Sequence, residues 1–506
     1  MKKRYILPFL LLSLASCKED FLNQLDPNKV AVENYFETEN DVLLAVNGVY
    51  QALRSGNNIG EGSGLFSEER SDNTGRDDNQ SNAGEPFQFN DFSILPSNSY
   101  LKSHWANMFD GISRCNTLLS RIDQVSFTDE ALKKRYIAET KFVRGLLYFH
   151  MVRKFGDLPL AIVEVTSKEQ ANELAFRQPE AVIYQQIVAD LTDALDSNLP
   201  NTQLEYAVGR TSKAAINAIL GQVYLTMGST VAEGSTENFQ RAEQHLSAAY
   251  GMRTFGKLNE IPYEQVFDVD RKMDCKELIF QVQYLQGDQN YSSSIARNNQ
   301  ARGETVNSQY PSTGIGGNVT PDLVKDYEQG DGRKDFSIKF AANSQVNDYF
   351  ITKFRDNSDA AGTAGWGGND WILIRYADVM LLLAEAKMNL GKDAEAIVLL
   401  NEVRERAGLP NYATSRNNTS YNTKYPTLKD AILHERRVEL AFENHRWFDL
   451  IRNYNAAELV AYFKAKSQAD YGNAQLSNIN TKDRYYPIPF DEYQLDPTRM
   501  YQNAGY

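Results

Sequence analysis

Cysteine is scarce in this 506-residue chain: only Cys17, Cys115 and Cys275 occur. None stands in a C-x-x-C pair, which excludes zinc-ribbon and thioredoxin-type sites. Cys115 and Cys275 either pair in an oxidising compartment or remain buried thiols. Histidine is equally sparse, with five in the chain. In the stretch "HERRVELAFENHRW" Val438 stands where the second ligand of H-E-x-x-H would be. Read as one continuous helix, that stretch puts His434 and His445 about 16 Å apart, too far to share a metal. Basic charge is short as well: the net charge is −13 and no dense Lys/Arg stripe follows residue 17. A nucleic-acid partner, which needs a basic face to displace counterions, is excluded. There is no G-x-S-x-G, and Gly314-Ile315-Gly316-Gly317 lacks the G-K-[ST] of a phosphate loop. Glu435, Glu439 and Glu443 recur every four residues, but with Arg436, Arg437, Arg446 and Arg452 interleaved they read as ion pairs of a scaffold, not catalytic carboxylates. No enzyme activity, cofactor or metal is expected.

The one strongly apolar run is at the start. Lys2, Lys3 and Arg4 precede the apolar stretch Tyr5–Leu14, which is shorter than the roughly 20 residues needed to span a bilayer. It stops at Leu14-Ala15-Ser16-Cys17, the pattern of a bacterial lipobox. The expectation is cleavage before Cys17, acylation of its thiol and attachment to a membrane by lipid chains. No later run approaches membrane-spanning length.

Beyond the leader, a 42% hydrophobic content with 11% aromatics describes a folded chain long enough for one large or two average domains. Ala138, Phe142, Gly145, Leu146, Phe149 and Val152 step by three and four, predicting a helix over 129–155 that Gly156 and Pro159 end. Pro179 opens its partner, with Ile183, Ile187, Leu191 and Leu195 on one face. A second pair covers 211–228 and about 237–252, and the small residues Ala214, Ala215, Ala218 and Gly221 allow a neighbouring helix close approach. A third pair is "YADVMLLLAEAKMNLG" with "DAEAIVLLNEVRERAG", and a further helix runs from Leu428 to Arg452. The pairs predict a degenerate tetratricopeptide-like array interrupted by insertions.

Three insertions, 55–104, 284–320 and 356–370, mix Gly, Asn, Asp and Ser with aromatics. Loops this long are usually functional or disordered, and disordered ones tend to lack aromatic rings. A ring face beside Asn, Asp and Arg is the equipment for holding a sugar. Phe87, Phe89 and Phe92, at alternating strand-like spacing, read more readily as plugs that seat the loop; for Tyr310 and Trp366 packing and ligand contact are balanced.

With "AETKFVRGLLYFHMVRKFGDLPL", "GRTSKAAINAILGQVYL", "IRYADVMLLLAEAKMNLG", "LNEVRERAGL", "AILHERRVELAFENHRWFDLIR" and "PIPFDEYQLDPTRMYQNAGY" in order along the chain, the sequence resembles the SusD/RagB family of Bacteroidetes surface lipoproteins. The resemblance implies a mainly α fold with about four tetratricopeptide-like hairpins and an irregular binding face built from the insertions. It divides the chain into a signal peptide (1–16), an amino-terminal part (17–260) and a carboxy-terminal part (261–506). Lys18-Glu19-Asp20 after Cys17 resembles the group's signal for export to the outer leaflet of the outer membrane. The implied role is a lid on a SusC-like TonB-dependent transporter, capturing an oligosaccharide by binding and hinge-like opening, without reaction. Ligand candidates from the insertions are Asp72, Asn73, Arg76, Phe87 and Asn90, then Tyr291, Asn298 and Tyr310, then Trp366. With four tryptophans, of which Trp105 and Trp447 fall in helices as packing, the chain is poorly equipped for starch. A peptide-binding lid of the RagB kind and a helical scaffold without small ligand are the alternatives.

Overall fold

The computed structural model describes residues 36–75, 84–231, 234–310, 318–472 and 476–506. Cys17, Lys18, Glu19, Asp20 and Arg76 lie outside the described residues. Eight helices form four hairpins: α1 (Glu39–Arg54) with α2 (Ser99–Arg121), α3 (Glu130–Phe155) with α4 (Glu180–Leu195), α5 (Lys213–Thr230) with α6 (Ser235–Gly251), and α7 (Tyr376–Asn389) with α8 (Asp393–Arg406). Each packs on the next in chain order, and α9 (Leu428–Glu439) lies against α7. The first hairpin goes beyond the sequence reading, because its two helices are separated by the first insertion. That insertion ends sooner than expected, where Asn98 caps α2 by accepting from the backbone N–H of Tyr100 and Leu101.

Gly221 acts as expected, and Gly145 does the same in the preceding hairpin. A Cβ at Gly145 would lie 3.1 Å from Leu191 Cγ, and one at Gly221 would overlap Leu246, so these positions set how closely α3 meets α4 and α5 meets α6. One hydrophobic core runs from Val42 on α1 to Met500 near the carboxy terminus, joining both parts of the chain.

Strands are short and paired in twos, all antiparallel: β1 (Thr74–Gly75) with β5 (Asn318–Val319), β2 (Leu158–Pro159) with β3 (Arg177–Gln178), β4 (Leu278–Val282) with β8 (Trp371–Arg375), and β6 (Ile338–Ala342) with β7 (Asn347–Ile351).

Three local expectations are corrected. The helix expected over 428–452 is two: α9 stops at Glu439 and α10 (Arg446–Asn453) starts after a turn in which Phe442 (φ 69°) and Asn444 (φ 65°) are left-handed. Each such residue costs about 1–2 kcal/mol. Tertiary bonds offset it: Glu68 accepts from Phe442 N–H at 2.7 Å, Glu443 reaches Arg375 and Lys353, and Asn444 Nδ2 donates to Ser63 Oγ at 2.6 Å. The single-helix separation of His434 and His445 therefore does not apply. Phe87–Asn90 is a turn of helix, not a strand, although Phe89 and Phe92 do plug the loop against Phe66 and Phe463.

The third correction concerns the glutamate row. Glu435, Glu439 and Glu443 are buried and ion-paired, but with Arg333, Arg375, Arg404, Arg406 and Lys353 from other segments. The neighbouring arginines face away and take Asp378, Asp449, Asp326, Asp72 and Glu385 instead. Cys115 and Cys275 are separate buried thiols, which burial pushes up to about 12 and about 11. Trp105 and Trp447 are packing residues, both buried.

Candidate ligand-binding face

Antiparallel pairing of β4 with β8 fixes the site's position. Val282, the end of β4, pairs with Trp371, the start of β8, so the second insertion leaves the ribbon beside the third as it enters. Two acids tie the insertions together there. Asp370 accepts from Tyr284 N–H (2.8 Å), Lys272 Nζ (2.8 Å) and Gln281 Nε2 (2.9 Å). Asp356 accepts from Gly368 N–H (2.6 Å), Ser358 N–H (2.9 Å) and Gln286 Nε2 (3.1 Å). The backbones then join directly: Gly287 N–H donates to Trp366 O at 3.1 Å, and Ser293 and Gly367 exchange a pair of bonds at 2.8 and 3.0 Å. The start of the first insertion closes the assembly through Glu61, whose carboxylate accepts from Ser294 N–H and Oγ, both at 3.1 Å, and from Ser293 Oγ. Burial raises the Glu61 carboxyl above its usual range while these serine donors oppose the shift.

On this frame the later candidates come together. Tyr291 is 45% exposed, and Arg54, the last residue of α1, lies 4.3 Å from its ring centre. Tyr310 is half-buried with Arg297 at 5.2 Å from its ring centre. Gly365 (φ +72°) ends the turn before Trp366; a Cβ there would sit 3.3 Å from the Tyr310 ring, so glycine serves both the left-handed backbone and the ring's approach. Trp366 is half-buried, as is Asn298, whose Nδ2 donates to Ser294 Oγ and whose Oδ1 accepts from Arg297. Among the described residues neither Arg54 nor Arg297 has a carboxylate within ion-pair distance. The result is a set of partly exposed rings beside cations and an amide, suited to stacking and directional hydrogen bonding.

The first insertion divides differently. Asp72, Asn73 and Asn90 are fully buried, and the fold gives them scaffold work in place of the expected ligand contact. Burial alone would raise the Asp72 carboxyl, yet Arg437, Arg446 and Lys466 hold it well below the usual range, and Tyr462 Oη donates to it at 2.6 Å. Asn73 bridges Glu68 (2.7 Å) and Arg437 (2.9 Å); Asn90 Nδ2 donates to the carbonyls of Glu69 (2.9 Å) and Thr74 (3.0 Å). Phe87 is half-buried on its single helical turn. The β1–β5 pair places the chain leading to 76–83 beside the chain leaving 311–317, both outside the described residues. Arg54, Glu61, Arg297, Asp356 and Asp370 were not singled out by sequence; the only signal was that Asp356 and Asp370 bracket the glycine-rich "DNSDAAGTAGWGGND".

Among the described residues no group of three His, Cys, Asp or Glu is placed to hold a metal, and no helix is long and apolar enough to cross a membrane. Comparison with known proteins gives the same answer from both ends of the chain. The profile described as the SusD family matches residues 336–506, and one described as "Starch-binding associating with outer membrane" matches residues 20–225. A SusD-like protein of Formosa agariphila is 28% identical over the full length of both chains, and one of Bacteroides ovatus is 23% identical over 83% of this chain and 77% of its own. Among solved structures, a laminarin-binding SusD-like protein is 27% identical with a TM-score of 0.73, covering 93% of this chain and 100% of its own. A SusD homologue from Bacteroides thetaiotaomicron is 24% identical with a TM-score of 0.76, covering 94% and 99%. With its four helical hairpins, its loop-built face and these matches across most of its length, the chain belongs to the SusD/RagB family.

Proposed function

We propose that this protein is a cell-surface lipoprotein that holds an oligosaccharide on the loop face and passes it to a SusC-like TonB-dependent outer-membrane transporter. The observation that carries the reading is the grouping of Tyr291, Tyr310 and Trp366 with Arg54, Arg297 and Asn298 on one braced assembly. Rings of this kind take the C–H face of a sugar, while the arginines and Asn298 fix hydroxyls. A laminarin-binding relative and the outer-membrane description of the matched profile support a surface glycan role. Cys17 is the anchor and Lys18-Glu19-Asp20 the export signal in this proposal. Holding the ligand over a pore raises its local concentration, so weak reversible binding suffices; no chemical step is required.

Titration calorimetry of the chain from residue 18 onwards tests the ligand class, using β-glucan, starch, host and microbial oligosaccharides and a peptide digest. Heat with one glycan class, weakened in Trp366→Ala and Tyr310→Ala, is expected. Heat with peptides alone would replace the glycan by a peptide, and silence across the panel would remove the loop face as a self-sufficient site. Co-purification of the tagged lipoprotein with a barrel transporter from outer membranes tests the partnership. Non-permeant protease on whole cells tests the outward orientation, with full protection as the outcome that refutes it.

A further inference from the structure

Buried cations in this protein are generally matched to carboxylates: Arg333 has Asp331, Glu435 and Glu439; Arg436 has Asp378 and Asp449; Arg452 has Glu385 and Asp449. Arg177, which has no carboxylate partner among the described residues, gives its nitrogens to the carbonyls of Asp157, Tyr501 and Phe155 and to Asn503; one cleft departs from both patterns. It lies where α3 and α5 meet β8 and the Phe442–His445 turn, has a volume of about 30 Å³, and is lined by His150, Arg153, Lys154, His445 and Phe448. Arg153, 7% exposed, donates from Nε to Phe149 O at 3.1 Å, and its guanidinium lies 3.9 and 4.0 Å from the ring centres of Phe149 and Phe448. Lys154, 1% exposed, contacts His104 Nε2 with its Nζ at 2.9 Å. His150 meets Phe448 edge to face at 6.0 Å.

Among the described residues no carboxylate lies within 4.0 Å of the Arg153 or Lys154 nitrogens. Glu443 also lines the cleft, but Arg375 (2.7 Å) and Lys353 (2.6 Å) already take its oxygens. A guanidinium does not give up its proton in a protein, and a buried charge without a partner is strongly unfavourable. The two phenylalanine faces help the plane of the guanidinium but offer nothing in its plane to the Nη groups. A cavity of this size has room for one small ion. We propose that the cleft is a binding site for a small monovalent anion of the halide class, held by Arg153 and Lys154 with His150 and His445 beside it. The ion supplies the missing negative charge and ties α3 to the turn that separates α9 from α10.

The test is thermal unfolding of the intact chain at constant ionic strength, replacing sodium methanesulfonate, whose anion is bulkier than a halide, with sodium chloride or bromide. A saturable rise in Tm of roughly 1–3 °C is expected. Crystals soaked in bromide are expected to show an anomalous peak beside Arg153. Arg153→Gln should abolish the halide response; should that variant not fold, Lys154→Met, which removes the neighbouring amine donor, should weaken it. A Tm indifferent to halide overturns the proposal. So does a response that survives both substitutions, or a bromide peak elsewhere with none in the cleft.

Discussion

In the core between α7 and α9, Arg375 meets Glu277, Glu439 and Glu443 at 2.6–2.8 Å, and every group is buried. On the loop face, Arg54 and Arg297 meet tyrosine rings and an amide at the protein's surface. The same residue type thus does two kinds of work. In the core its planar fork saturates carboxylates that the fold cannot leave alone, so the lattice fixes a structure and has nothing to offer a ligand. On the face its hydrogen-bonding edges remain uncommitted to acids, which leaves them available to an incoming hydroxyl.

The contrast breaks most sharply at Arg375. Arg375→Met should lower stability by about 3–5 kcal/mol in urea denaturation, because it leaves three buried carboxylates short of a partner. A loss below about 1 kcal/mol, the scale of an exposed pair, would erase the distinction between the two regions.

Acid attacks the same lattice. Burial alone would raise the Glu443 and Asp449 carboxyls, but Arg375 and Lys353 bring the first down to about 2, and Arg436 and Arg452 bring the second to about 2. A depressed native value adds stability that is present above the unfolded pKa and lost as pH falls through the native one. Melting temperature should therefore drop steeply between about pH 4.5 and pH 2. A loss already complete by pH 5 would contradict this assignment.

The loop face should respond in the opposite sense, losing function with little stability. Gly365→Ala places a side chain on a left-handed backbone and against the Tyr310 ring, at a cost of about 1–2 kcal/mol in stability. The stronger readout is glycan affinity, which should fall; unchanged affinity would separate Tyr310 from the site. Smallest of all, Arg54→Ala removes one exposed cation–π contact, worth about 0.5–1 kcal/mol. It should reduce glycan affinity more than it reduces Tm, and the reverse ordering would make Arg54 a structural brace.

How much of this was readable beforehand follows the range of the interactions. The periodicity of Phe142, Leu146 and Phe149 announces α3, and Gly156 at φ +70° caps it as the composition implies. The break after Glu439 was not readable. "ERRVELAFENHRW" is helical by local preference, and only bonds to Glu68, Ser63 and Arg375, far away in the chain, pull Phe442 and Asn444 out of the helix. The burial of Asp72, Asn73 and Asn90 was unreadable for the same reason: Asp72 looks like a loop acid until Arg437, Arg446 and Lys466 close around it.

By itself the sequence determined three of the four helical hairpins, the close contact at Gly221, the lipobox expectation at Cys17 and the family resemblance. Those features depend on spacing within a few turns of chain or on short motifs. Tertiary structure alone decided which polar residues the core would absorb and which the loop face would keep. A charge's partner is set by distance in space, and Arg375 finds Glu277 and Glu443 across 98 and 68 residues of sequence. Tyr291 and Trp366 join one face because the antiparallel pairing of β4 with β8 brings their loops side by side.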